Sequence, residues 1–91
     1  MFMLFYTREA SRVIKRLKKE GLAREVWEFQ SLLRNTPFEE SPGYERIDDE
    51  YYARPLGTQH KVVYKVVVKE HEVGGLQLEG TVTFWRVEET N

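Results

Sequence analysis

The stretch HKVVYKVVVK, His60 to Lys69, carries Lys61, Lys65 and Lys69 in a run that is otherwise apolar and mostly β-branched. Side chains of such a run alternate between two faces. The three lysines share one face with Val63 and Val67, while Val62, Tyr64, Val66 and Val68 share the other. In the last segment Leu76, Leu78, Val82 and Phe84 match the apolar set, so Gln77, Glu79, Thr81, Thr83 and Trp85 turn outward beside the lysines. Same-face positions recur about every 7 Å along a strand, close to the phosphate spacing of single-stranded nucleic acid, and an exposed tryptophan stacks on a base for about 1–3 kcal/mol. Lys61, Lys65 and Trp85 are therefore candidates for an RNA-contacting face. The same pattern also serves simply to keep an open sheet face soluble.

The elements that must position these residues are legible in the spacing. MFMLFY reads as a short strand, and Thr7 after it can cap a helix, with Glu9 in the first turn to suit the helix dipole. From Arg8 to Glu20, Val13, Ile14 and Leu17 fall at helical spacing while Arg8, Arg12, Lys15, Arg16 and Lys19 wrap the other side. Gly21 ends that helix. Leu22, Val26, Phe29 and Leu33, with Trp27 and Leu32, then form the buried stripe of a second helix to about Arg34. NTPFEESPGYERIDDE has no period and reads as a loop. YYARPL is a strand in which Pro55 favours an edge. Gly57 to Gln59 turns the chain into the 60–69 strand, and HEVGG turns it again into Leu76 to Val87. The expected fold class is α+β, in the order β-α-α-β-β-β, with a helical hairpin on one face of a mainly antiparallel sheet.

Ninety-one residues allow one domain, 1–91, with a single small core. There is no cysteine, and His60 and His71 are too few for a histidine cluster, so no disulfide, metal or cofactor is expected. The apolar opening lacks the basic flank and cleavage site of a leader, and no segment is long enough to span a membrane, which points to the cytoplasm. With 14 basic and 15 acidic residues the formal net charge is −1, so attraction to nucleic acid must come from local patches. Positive charge gathers on the first helix and the outer sheet face.

Three strings, NTPFEESPGYE, YYAR and HKVVYKV, together resemble the RelE/ParE toxin superfamily, most closely its YoeB branch, in which a TPFE loop leads to an HRLVY-type strand. The likeness runs from first strand to last and is best from Thr36 to Val66. It implies the RelE-like arrangement and a toxin of a type II toxin–antitoxin pair, with a cognate antitoxin protein as partner. Most such toxins cut mRNA on the ribosome by attack of the RNA's own 2′-hydroxyl, without metal, whereas the ParE branch poisons DNA gyrase.

By this resemblance Glu45 stands where YoeB-like enzymes keep the general base, Lys61 where they keep an arginine that stabilises the phosphorane, and Arg54 where a second arginine holds phosphate. Tyr52, Lys65, Trp85 and Arg86 would contact RNA. Tyr51, Tyr52 and Trp85, read as exposed, would also suit a partner chain, whether an antitoxin or a second copy. The likeness fails at the end of the chain, where the family's histidine and tyrosine are replaced by FWRVEETN. His60 and His71 are the remaining candidates for the acid. The missing pair and the low net charge leave open a non-catalytic or ParE-like member that works by binding a protein, gyrase or antitoxin. A sheet that binds single-stranded RNA with no toxin role is a third reading.

Overall fold

Thr7 joins the first two elements and helps to fix both. In the computed structural model, which describes residues 1–90, strand β1 (Phe2–Tyr6) ends there and helix α1 (Arg8–Leu17) begins. The Thr7 hydroxyl accepts from the Ala10 amide at 3.2 Å, which satisfies a free N–H of the first turn, and donates to the Trp85 carbonyl at 2.8 Å. Ala10, Ile14 and Leu17 form the buried side of α1.

A wide π-type turn, Lys18–Leu22, follows three residues before the expected helix end. It contains Gly21 at φ 98°, a left-handed conformation that glycine adopts without a Cβ clash. Helix α2 (Ala23–Asn35) then buries Val26, Phe29 and Leu33. Trp27, which the spacing placed with that stripe, is instead 67% exposed. It stands one residue past Val26, about 100° around the helix, and so faces solvent.

The remaining strands are β2 (Glu45–Arg46), β3 (Tyr51–Leu56), β4 (His60–Val73) and β5 (Leu76–Glu89). Their order across the sheet is β1-β5-β4-β3-β2, with β1 parallel to β5 and every other pairing antiparallel. Both helices lie on one face, where Val62, Tyr64, Val66, Val82 and Phe84 meet their apolar sides. The expected α+β class and order are present, with one addition. Within the aperiodic loop, Glu45 and Arg46 pair with Ala53 and Tyr52. A two-residue strand has too few positions to show alternation in sequence. It covers the start of β3 but leaves Pro55, which cannot donate to a neighbour, without a strand on that side.

β4 and β5 each run for 14 residues, longer than their apolar alternation indicated. Only Gly74 and Gly75 form the turn between them, at φ 57° and 80°, the left-handed pair a tight hairpin requires. The helices, at 10 and 13 residues, are far shorter than these strands because a helix rises about 1.5 Å per residue and a strand about 3.3 Å. The ribbon therefore outruns its cover. Val68 and Leu76, expected in the core, are 66% and 51% exposed as a result.

Candidate functional site

The open face of the sheet has an apolar floor. Across four strands Glu45 pairs with Ala53, Ala53 with Val63, and Val63 with Arg86, so all four point the same way. Ala53 and Val63 are buried on this outer face by the longer side chains around them. Lys61 reaches across from β4, its Nζ 3.5 Å from Glu45 Oε2, and joins two residues that lie 16 apart in the chain. Lys65 Nζ lies 3.8 Å from Glu50 Oε1 and 5.9 Å from the Tyr51 ring. Tyr51 in turn meets Trp85 edge to face, ring centroids 5.4 Å apart. Glu45, Lys61, Lys65 and Trp85 are thus brought into one region. Lys61 and Lys65 are four residues apart, so about 13 Å separates them along the strand, twice the same-face interval.

A β-bulge decides where Trp85 and Arg86 point. Tyr64 pairs with Phe84 while the preceding Val63 pairs with Arg86, which leaves Trp85 as the extra residue. Strict alternation would turn Arg86 toward the helices. The bulge keeps both Trp85 and Arg86 on the open face and returns Val87 to the core side, opposite Val62. Arg86 Nε donates to Glu88 Oε2 at 2.5 Å, and Glu88 stands opposite Lys61.

Two expected site residues lie elsewhere. Tyr52, read as exposed, is 6% exposed, on the helix side of β3, in a stack with Tyr44 and Tyr64. Alternation next to outward-facing Ala53 requires this inward position. Arg54, read as a phosphate holder, is 2% exposed and also on the inner side. Its Nε donates to the Tyr64 hydroxyl at 2.8 Å, Nη1 to Ser41 Oγ at 3.2 Å, and Nη2 to the Pro37 carbonyl at 3.2 Å and to the Glu39 carbonyl. The guanidinium also lies 4.6 Å from the centre of the Tyr44 ring. Arg54 clamps the loop that leads to Glu45, with no donor turned toward the open face.

The histidines are also displaced from the pair. His60 precedes outward-facing Lys61 and so faces the other side, with its Nδ1 buried and unpartnered. His71 is ten residues along β4 from Lys61, about 33 Å, and its Nδ1 contacts the Lys69 carbonyl at 2.9 Å.

Tyr64 completes the clamp by donating to the Pro37 carbonyl at 2.9 Å. Burial disfavours its phenolate and, against the opposing pull of Arg54, pushes its pKa from 10 up to about 12. The unfolded chain then releases this proton at lower pH than the folded one. Stability from this group is complete below about pH 10 and falls as pH rises toward about 12, at roughly 1.4 kcal/mol per pH unit. Urea melts across that range should show the loss, and Tyr64→Phe should flatten the slope.

A short strand, a helical hairpin and an antiparallel meander closed by a parallel first strand make up the fold. The chain is similar over 99% of its length, and over 100% of the other, to the solved structure of a YoeB/ParE toxin from Agrobacterium tumefaciens, with a TM-score of 0.71 and 14% identity. At that identity the likeness is one of fold. No family model matches the chain, and no curated protein matches it in sequence. Among the described residues, no helix is long and apolar enough to cross a membrane.

Proposed function

We propose that this protein is a toxin of a toxin–antitoxin pair that cleaves ribosome-bound mRNA, with Glu45 as general base and Lys61 as the cation that stabilises the phosphorane. The observation that carries the reading is the 3.5 Å approach of Lys61 Nζ to Glu45 Oε2 on an open face, over an apolar floor and beside an aromatic pair. Glu45 is 57% and Lys61 34% exposed, and such an ion pair contributes less than about 1 kcal/mol. An arriving phosphate can therefore take Lys61 and leave the carboxylate to accept the 2′-hydroxyl proton. Lys65 and Trp85 would hold the flanking nucleotide by charge and stacking. The fold supports an antitoxin partner.

On induced expression, the wild-type chain is expected to arrest growth and to leave message cut at codon boundaries. Lys61→Ala and Glu45→Ala should each reduce cleavage by about 100-fold or more. Arrest undiminished in both variants would remove these roles.

A ParE-like reading, in which the protein acts by binding another protein, is favoured by one feature of the same face. Neither histidine lies beside the pair, and Lys61, Lys65 and Arg86 each have a carboxylate within 4 Å. Growth arrest without cut message, together with gyrase trapped on DNA, would select that reading.

A further inference from the structure

The largest group of unpaired basic side chains lies on the other side of the molecule. Arg8, Arg12 and Lys15 fall within about 60° on the side of α1 opposite Ala10, Ile14 and Leu17, and Lys19 continues the line into the wide turn. All four are exposed. Among the described residues, none of them has a carboxylate within 4.0 Å, whereas Arg16, off this line, is paired with Glu20 at 3.7 Å. A shallow hollow of about 660 Å³ opens beside them, lined by Tyr6, Arg8, Ser11, Arg12 and Lys15. On the sheet face, by contrast, Lys61, Lys65 and Arg86 each face an acid, and Lys69 stands apart from them at the second β4 irregularity. Sequence spacing pointed to the strand lysines as the phosphate contacts. The cations that stand in a row without acid partners are on the helix.

The makeup of this stripe selects its ligand. No large apolar side chain is exposed on α1, so it lacks the aromatic or aliphatic centre of a protein interface and the apolar face of a membrane helix. It also offers no exposed ring on which to stack an unpaired base. What it presents is a straight row of about 16 Å, with two guanidinium forks at its start, and this fits successive backbone phosphates.

We propose that the solvent face of α1, through Arg8, Arg12, Lys15 and Lys19, docks on the phosphate backbone of a folded RNA, on the opposite side of the sheet from the Glu45–Lys61 pair. This deepens the RNA-directed reading and rests on it for the class of ligand. The helix face holds a structured RNA while the sheet face, with its exposed aromatics, meets an unstacked strand.

The test is a titration of the full chain against a labelled RNA hairpin, followed by fluorescence anisotropy at several salt concentrations. Four phosphate contacts predict an affinity that falls about 100-fold between about 50 and about 200 mM salt. Arg12→Glu with Lys15→Glu should weaken binding at least about tenfold at the lower salt and make the logarithmic slope shallower by about two. Arg8→Ala with Lys19→Ala, which removes charge without reversing it, should act in the same direction. Arg24→Ala, which removes an α2 cation already paired with Glu28 and outside both surfaces, should change affinity by less than about threefold. Wild-type affinity in both helix variants, or a larger loss in Arg24→Ala than in either, would overturn the proposal. Poly-glutamate bound as tightly as the hairpin and lost in the same variants would assign the surface to an acidic protein and also overturn it. Hairpin binding lost with the helix charges, together with arrest unchanged by Glu45→Ala, would reject the nuclease and keep the docking surface.

Discussion

Arg54→Met is expected to remove about 4 kcal/mol of stability, roughly half of what a domain of this length has in total. The methionine fills much of the same space but donates nothing. The Tyr64 hydroxyl, the Pro37 and Glu39 carbonyls and Ser41 Oγ would all lose a donor, the first two in buried bonds and the others in half-buried ones. Bonds from a charged donor contribute about 1.5–3 kcal/mol each, and an acceptor left dry costs about 1–3 kcal/mol, although relaxation of the loop recovers part of the sum. Tyr44 would also lose its cation. A fall in melting temperature of about 15–30 °C follows for a chain of this size. Arg54→Lys should recover only a fraction, since one ammonium cannot span acceptors from Pro37 to Tyr64. Faster amide exchange in 37–46 than in the helices would show the clamp acting on the Glu45 loop; unchanged exchange there would mean that the loop is held by other contacts.

Gly80→Ala should be at least as severe. Gly80 is a central position of the sheet, opposite Phe2 of β1 on one side and Val68 of β4 on the other. A Cβ at that position would lie 2.1 Å from the Val67 carbonyl oxygen and 3.0 Å from the Val68 Cα, both backbone atoms that no rotamer change can move aside. The close approach stands beside an irregularity, where Lys69 and Glu70 together face the single residue Glu79. Separation of the strands would cost ladder hydrogen bonds on both sides of β5. A loss of more than about 4 kcal/mol is expected, enough to leave much of the chain unfolded at 37 °C. Circular dichroism and urea unfolding of the purified variant would measure it. A melt within about 1 kcal/mol of wild type would show that the bulge can relax.

The two faces of this protein divide its charge in a way that a net value of −1 conceals. Carboxylates from the loop and from the end of β5 screen Lys61, Lys65 and Arg86, while Arg8, Arg12 and Lys15 of α1 have no such partner. Surface ion pairs are weak and open easily, so the sheet face remains usable by a backbone phosphate, whose single charge is shared by two oxygens. Long-range attraction, however, comes from the helix.

Local pattern was enough for much of this architecture. Helical spacing of Ile14 and Leu17, the Thr7 cap, the left-handed glycines and period-two alternation in 60–69 depend on residues a few positions apart, and each of these features stands in the structure. Alternation also assigned Lys61, Lys65 and Trp85 to one face, and the resemblance in 36–66 singled out Glu45 as the acid beside them. Other features depended on groups far apart in the chain. That Arg54 is an internal clamp depends on a loop 13 to 17 residues earlier folding over it. The outward turn of Arg86 depends on β5 holding one residue more than β4 across a single ladder step. The pairing of Glu45 with Ala53 involves two positions, too few to mark a strand by themselves. Sequence determined which side chains can be buried and with what period. Only the folded sheet decided which charges meet, because an ion pair or a bulge exists between strands and has no period along either one.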